Sequence, residues 1–324
     1  MSEQILLSII IPCWNGEKFL GSVLNLLVEQ DLKNIEVLVV NDGSTDNTLK
    51  IAAKFAEENS NIKVFSLEKN GGVSAARNLG IKNSQGKYLL FLDADDALPN
   101  GTLDYYRSLL ANQTADTFVF GYENNLNGNI KKVKTLKSDG IILDKISFLK
   151  TYFMKIKVCM CNIVFNKELL IRNTLRYTEG LKWGEDVEFY EKAFALSQTI
   201  YYASKITFTR IYRENSASQA GKISKATILE NNFVRNLNNL DAIADKYTKI
   251  RKEANYRIIC RYLWFLTDYL QEEKNIPETT QKLLDYKKLL YRPVAFVFPR
   301  TIVIWALRIT PFKLMFRLLG KTNP

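Results

Sequence analysis

Three acids stand close together in Leu92-Asp93-Ala94-Asp95-Asp96, at the end of the apolar run Tyr88 to Leu92. On an extended segment, residues i and i+2 project the same way, so Asp93 and Asp95 are expected to converge on one ligand. Two such carboxylates suit Mg²⁺ or Mn²⁺, hard cations commonly held by one or two acids plus the phosphates of a substrate. A solvated turn capping a helix is the plainer reading of an isolated Asp-X-Asp, and the place of this one at a strand's carboxyl end counts against it. An EF-hand is excluded, because the loop starting at Asp93 has Leu98 where glycine is required.

A second acid-bearing segment, Asn41-Asp42-Gly43-Ser44-Thr45-Asp46, also closes an apolar run. Gly43 suits a turn and Ser44 or Thr45 a helix cap. Asp42 can accept a hydrogen bond from the N–H of a nucleotide base, and the helix amino terminus nearby favours anions. The next such junction reads Asn70-Gly71-Gly72-Val73-Ser74-Ala75-Ala76-Arg77-Asn78. Gly71 and Gly72 permit close backbone approach, while Arg77 can meet a phosphate or brace Asp95. This is neither a Walker loop nor a GxGxxG fingerprint, which weighs against a P-loop or dehydrogenase reading. In the last segment, Glu179 to Phe189, acids that open a helix complement its dipole, which accounts for Glu185 or Glu188. Asp186 is left available, and near aromatic Trp183 it has the surroundings of a general base for a hydroxyl.

The elements that must position these residues follow from periodicity. β-type runs at Ile5 to Ile11, Ile35 to Val40, Ile62 to Leu67 and Tyr88 to Leu92 alternate with helical patterns at Gly16 to Gln30, Thr45 to Asn59 and Val73 to Ile81. This βαβ rhythm predicts a doubly wound sheet with helices on both faces and a ligand site beyond the strands' carboxyl ends. Farther on, a helix is predicted at Thr102 to Ala111, a strand at Thr117 to Tyr122 and a hairpin turn at Asn124 to Asn129. Strand-like Ile163 to Phe165 and Ile206 to Tyr212 bracket the Glu179 segment. Ser224 to Leu290 reads as helices, including Ala226 to Ala244 and Glu253 to Gln271.

The net charge of +11 invites a nucleic-acid reading, yet much of it lies in one place. From Tyr286 onward come Lys287, Lys288, Arg292, Arg300, Arg308, Lys313, Arg317 and Lys321 with no acid, mixed with Phe296, Phe298, Trp305, Phe312 and Phe316. That mixture fits an anionic membrane surface, and its uncharged stretches fall far short of the roughly 20 residues needed to cross a bilayer. The basic residues form no recognised nucleic-acid module, so no nucleic-acid partner is expected. Cys13, Cys159, Cys161 and Cys260 are too scattered to staple the chain, and without histidine they make no Cys/His zinc site. They read as reduced cytosolic thiols. The start of the sequence lacks the pattern of a signal peptide, so the protein is expected in the cytoplasm, peripheral on the inner membrane leaflet through its tail.

Together these segments resemble the GT-A glycosyltransferases of family 2, an inverting family that includes many bacterial polysaccharide enzymes. The resemblance runs from roughly Leu7 to Ser218. It implies the GT-A nucleotide-diphospho-sugar transferase fold, an α/β doubly wound mixed sheet over residues 1–217; outside the resemblance, the pattern of the residues themselves predicts a helical region at 218–290 and a basic amphipathic tail at 291–324. In Ser8-Ile9-Ile10-Ile11-Pro12-Cys13-Trp14-Asn15, Pro12 and Asn15 would border the donor nucleotide. Asp42 matches the base-binding acid, with Asn41 in place of a frequent aspartate, and Ala76-Arg77-Asn78 matches the helix that supports the donor site. Asp93-Ala94-Asp95 looks like the DXD motif, which implies that Asp93 touches the ribose and Asp95 the metal. Glu185-Asp186 resembles the acidic pair beside the acceptor, with Asp186 the implied base and Glu185 and Trp183 on the acceptor side. Tyr212-Arg213-Glu214-Asn215-Ser216 looks like the segment that closes the fold. Some relatives place a histidine on the metal and this chain has none, so the remaining coordination would come from the diphosphate and water.

The implied activity is a Mn²⁺- or Mg²⁺-dependent hexosyl transfer from a nucleotide-sugar donor, UDP-linked by resemblance, to a saccharide or lipid-linked saccharide. Two rivals stay open: a nucleotidyltransferase that makes the activated sugar, and a membrane-associated scaffold with the fold but no catalysis.

Overall fold

The computed structural model describes residues 4–133, 136, 139–181, 183–212, 225–272, 286 and 288–295. Its first half alternates β1 (Leu7–Cys13), α1 (Leu20–Val28), β2 (Ile35–Asn41), α2 (Thr48–Glu58), β3 (Ile62–Ser66), α3 (Val73–Asn83), β4 (Tyr88–Phe91) and α4 (Thr102–Asn112). There follow β5 (Thr117–Leu126), β6 (Asn129–Lys132), β7 (Ile141–Asp144), α5 (Lys145–Met154), β8 (Ile163–Asn166), α6 (Lys167–Arg172), α7 (Glu185–Leu196) and β9 (Thr199–Tyr212). Helices α8 (Lys225–Lys246) and α9 (Arg251–Glu272) come last.

Among the described residues the strands join one mixed sheet in the order β3-β2-β1-β4-β8-β5-β9-β7, with β6 paired to β5. Strands β3, β2, β1 and β4 are mutually parallel, while β8 runs antiparallel to both β4 and β5. Every residue of β1 and β2 is buried, which explains their mainly apolar runs: a parallel strand covered on both faces has no solvent side to supply alternation, and the polar pair that interrupts them, Ser8 and Glu36, is satisfied by its own hydrogen bond at 2.7 Å. On one face Leu20, Leu24, Leu103 and Tyr106 share a core with Ile9, Ile11, Val37 and Val39. On the other, Phe91 of β4 meets Phe165, Tyr177 and Phe189 edge-on at 5.3–6.0 Å. Phe189 lies on α7, so this aromatic cluster seats the start of that helix near the carboxyl end of β4.

Helix α3 closes tightly on β1 through Gly80, where an added β-carbon would lie 2.3 Å from Ile10 Cγ2. Gly80→Ala is therefore expected to lower stability by about 1–3 kcal/mol, the usual cost of overpacking a core. Urea denaturation checks this, and an unshifted midpoint would mean that the helix can retreat from the sheet at no cost.

The chain divides into two compact units, Met1–Lys145 with Ile156–Ser216, and Ile146–Lys155 with Ala217–Pro324. In the second unit α8 packs on α9, and the Arg257 guanidinium lies 5.0 Å from the centre of the Tyr152 ring. No helix among the described residues is long and apolar enough to cross a membrane. The expected boundary at 217/218, most of the closing segment Tyr212 to Ser216 and the tail beyond residue 295 lie outside the described residues.

Candidate active site

Strands β1 and β2 end level, Cys13 beside Asn41 and Pro12 beside Val40, so their loops emerge together. Asn15, with φ of 48°, stitches them: its N–H donates to Ser44 Oγ at 3.0 Å and its Oδ1 accepts from the Thr45 N–H at 2.9 Å. Asp42 follows directly and is 3 % exposed. Its Oδ1 accepts from the Gly71 N–H at 2.7 Å and its Oδ2 from Asn70 Nδ2 at 3.1 Å. Burial lifts its pKa above the ordinary carboxylate range, against the pull of the Gly71 and Gly72 N–H groups. Gly43 has φ of 64°, a left-handed turn that a side chain resists, and a β-carbon there would lie 2.5 Å from the Asn70 nitrogen. The first two acid-bearing or glycine-rich loops are thus one construction, in which the Gly71 loop holds the Asp42 carboxylate.

The acids after β4 are arranged differently from expectation. The strand ends at Phe91, and Asp93 to Asp96 form a turn in which the Asp96 N–H donates to the Asp93 carbonyl at 3.2 Å. The i and i+2 rule for extended chain therefore does not apply; the turn brings the carboxyls of Asp93 and Asp96 together instead. Each of these and Cys161 offers a ligand atom within 4.8 Å of the others. Asp95 is half-buried in the same turn and acts electrostatically on Asp96 and Cys13. Asp96, 6 % exposed, accepts from the Ile211 N–H at 2.8 Å and is pushed up to about 8, first by burial and then by Asp93. The carboxylates suit a hard divalent cation. The Cys161 thiol does not: burial raises its pKa well above the ordinary value, and a protonated sulfur is a poor ligand for Mg²⁺ or Mn²⁺.

Arg77 ties the turn to α7. Its Nη2 donates to Asp93 Oδ1 at 2.9 Å and its Nη1 to Glu185 Oε1 at 3.0 Å, so it braces Asp93 rather than Asp95. The guanidinium is 4 % exposed and lies 5.2 Å from the centre of the Tyr177 ring, which stacks on Phe189 at 3.9 Å. Its neighbour Asn78 accepts from the Tyr177 N–H at 2.9 Å and donates to Glu179 Oε1 at 3.0 Å, fixing the segment that leads into α7. Gly184, at φ of 76°, turns that segment into the helix, whose first turn holds Glu185, Asp186 and Glu188. Burial raises the pKa of Glu185 and Asp186 alike, their adjacency adds to the effect at Glu185, and Arg77 opposes it at both. Asp186 Oδ1 accepts the Val187 N–H at 2.7 Å. Trp183 stands exposed before the helix.

Arg77 therefore joins Asp93 to Glu185, beside Asp186, while Asp42 is held by the loop that opens Arg77's own helix. Sequence reading missed Asp96 as the partner of Asp93, Tyr177 beneath Arg77, and Arg210, which acts electrostatically on Asp96 and Asp186. Asp96 was in plain view in the acidic run; nothing in the local sequence marks Tyr177 or Arg210.

Comparison with known proteins agrees on the family. The model described as glycosyl transferase family 2 matches residues 8–171. Glycosyltransferase GlyA of Streptococcus pneumoniae is 29% identical over 220 residues, 66% of this chain and 31% of the relative. Poly(ribitol-phosphate) β-N-acetylglucosaminyltransferase TarS of Staphylococcus aureus is 31% identical over 209 residues, 61% of this chain and 35% of the relative. The chain thus spans about a third of the length of these relatives. The solved structure of S. aureus TarS 1-349 with UDP-GlcNAc superimposes with a TM-score of 0.63 at 23% identity, covering 98% of this chain and 90% of that one. Mannosyltransferase PcManGT from Pyrobaculum calidifontis, with GDP-Man and Mn²⁺, gives 0.54 at 16% identity, covering 98% and 88%. At such identities the likeness concerns the fold, and the fold is GT-A.

Proposed function

The chain belongs to glycosyl transferase family 2, and from that premise we propose that it is an inverting, metal-dependent enzyme moving a sugar from a nucleotide diphosphate, of the UDP class, to an acceptor hydroxyl. The observation that carries this reading is the pair of ion pairs made by Arg77, which gathers Asp93 from the end of β4 and Glu185 from the start of α7 beside Asp186. The acceptor in this reading is a saccharide or lipid-linked saccharide of a cell-surface polysaccharide, in keeping with a relative named for acting on a polymer, poly(ribitol-phosphate), and the basic tail is the contact with the inner face of the membrane.

Asp42 is the acid for the nucleotide base. Two of its lone pairs accept from Gly71 and Asn70, and a carboxylate has others to offer. Pro12 and Asn15 border the nucleotide, and Arg77 supports the donor side by fixing Asp93, whose carboxylate takes the ribose hydroxyls in this reading. Asp95 would hold a divalent cation, with Asp93 and Asp96 close by; such a cation would supply positive charge to offset that of the leaving diphosphate. On the acceptor side, Glu185 keeps its bond to Arg77 and Trp183 offers an exposed ring. Asp186 accepts the proton of the acceptor hydroxyl as its oxygen bonds to the anomeric carbon. The bond from that carbon to the diphosphate breaks on the opposite face, and its electron pair leaves with the diphosphate. Burial favours this role, because a carboxylate with a raised pKa is a stronger base.

A panel of nucleotide sugars offered with Mn²⁺ tests the reading. The expected product is a nucleoside diphosphate; release of pyrophosphate would identify a nucleotidyltransferase instead, and no turnover of any donor would favour the inactive scaffold. Asp95→Ala is expected to weaken Mn²⁺-dependent donor binding by about tenfold, roughly 1.4 kcal/mol. A calorimetric metal titration identical to that of the unaltered protein would remove Asp95 from the metal site.

A further inference from the structure

Strand β8 is antiparallel to both β4 and β5, so β5 runs the same way as β4. The hairpin at the carboxyl end of β5 therefore lies at the same end of the sheet as the loops that carry Asp42 and Asp93. Strand β9 links the two places. Thr209 bonds Ala97, and the Ile211 N–H donates to Asp96 at 2.8 Å, while the same stretch of β9 pairs with β5 up to Leu126 opposite Tyr212. The hairpin thus stands beside the acidic turn, with one strand between them.

Its tip is apolar. Leu126 and Ile130 are 58% and 59% exposed, and Tyr212, opposite Leu126, is exposed with them. Three of the nine large hydrophobic side chains exposed among the described residues thus meet at one end of one ribbon, a grouping that singly scattered surface residues do not produce. The pairing puts Leu126 on the face of Asn129 and Tyr212, and Ile130 on the other face with Asn125 and Ile211. A flat protein surface would cover one of these faces; both aliphatic side chains are covered where the tip is immersed.

Behind the tip lies positive charge. Lys131 and Lys132 are exposed, again one on each face. From Asn124 to Ser138 the sequence holds four lysines and no acid, and Glu123, before them, accepts a hydrogen bond from Thr209 Oγ1 at 3.0 Å. An apolar tip with a cationic collar matches an anionic bilayer, whose headgroup boundary takes up aliphatic side chains and whose phosphates attract lysines. A tyrosine ring suits the same boundary. A nucleic acid would meet the lysines but leave Leu126 and Ile130 in water.

We propose that the β5–β6 hairpin docks on an anionic membrane surface, with Leu126 and Ile130 entering the headgroup region and Lys131 and Lys132 pairing with lipid phosphates. This contact is separate from the basic tail and does not depend on the transferase reading. Joined to that reading, it sets the open end of the site beside the bilayer.

Hydrogen exchange of the full chain, followed by mass spectrometry, localises the contact. Vesicles of phosphatidylglycerol and phosphatidylcholine in equal parts are expected to slow exchange over residues 124–132, and vesicles of phosphatidylcholine alone to leave it unchanged. Leu126→Ser with Ile130→Ser, and Lys131→Glu with Lys132→Glu, should each remove that protection and weaken the hairpin's contribution to vesicle binding by about tenfold. All four side chains are exposed, so both double variants should melt as the parent does and hydrolyse the nucleotide sugar in water at the parent's rate. No protection of the hairpin on the anionic vesicles, equal protection on the neutral ones, or full protection in either double variant would each overturn the proposal. So would protection that needs no vesicle and grows with protein concentration, which would assign the tip to a second copy of the chain. Absence of donor hydrolysis from the unaltered protein would instead count against the transferase reading, and the exchange result would still decide the hairpin.

Discussion

Asp186→Asn is expected to lower kcat by about 10²–10⁴-fold, the range typical of a lost general base, while donor binding measured by calorimetry stays within about twofold. Asparagine keeps the size of the side chain and can still accept the Val187 N–H, so the helix start should survive; what disappears is the ability to take a proton. The unaltered enzyme should also show the base in its pH profile. Burial raises the pKa of Asp186, with Arg77 opposing. The basic form does the work, so kcat should fall as pH drops through a midpoint above the ordinary carboxylate range. That limb should be missing from the residual activity of the asparagine variant. Near-normal turnover by Asp186→Asn would assign the proton transfer to another group.

Arg77→Met should damage both stability and activity. Methionine fills much of the volume but leaves Glu185, whose side chain is 12% exposed, without its guanidinium, and Asp93 likewise at 41%. Breaking a buried pair usually costs about 3–5 kcal/mol; because Asp93 remains in reach of water, a loss of roughly 2–4 kcal/mol is expected. The sign of its pH dependence follows from the charges. Removing the cation raises the pKa of Glu185 and Asp186 further, so their ionised forms burden the fold at neutral pH and less so once protonated. The deficit relative to the unaltered protein should therefore shrink between pH 8 and pH 5. Arg77→Lys keeps the charge yet cannot span two carboxylates with a planar fork, so it should recover stability more than kcat. Denaturation midpoints at the two pH values, with kcat for each variant, check this; a methionine variant as stable as the parent would show that the bridge carries no load.

Much of the framework was readable because β1, β2 and β4 are buried along their whole length and so are mainly apolar, while β3, half-buried, keeps enough β-branched and aromatic residues to mark a strand. The four runs from Ile5 to Leu92 became β1 to β4 within a residue or two at most ends. The Asn127-Gly128 pair, both at positive φ, made the β5–β6 hairpin that the turn residues announced. Legibility fell where the pattern weakened. Ile141–Asp144 alternates between half-buried and exposed positions, too short to mark β7, and α5 follows it with no intervening turn to mark a new element. Motif position singled out Asp42, Asp93 and Glu185-Asp186 as candidates, but their mutual arrangement was hidden. The Arg77 to Glu185 bond spans 108 residues of sequence, and the early end of β4 at Phe91 put Asp96, not Asp95, beside Asp93. Both depend on tertiary packing that a single sequence does not print.

The proposed transfer requires one nucleotide diphosphate and one cation lying among these acids. Solving the protein with UDP and Mn²⁺ is the most direct measurement. The expected result is the base against Asp42, the ribose at Asp93, and Mn²⁺ between Asp95 and the diphosphate, with Asp186 facing the open side. A nucleotide bound elsewhere, or bound here with the metal away from the Asp93 to Asp96 turn, would contradict it.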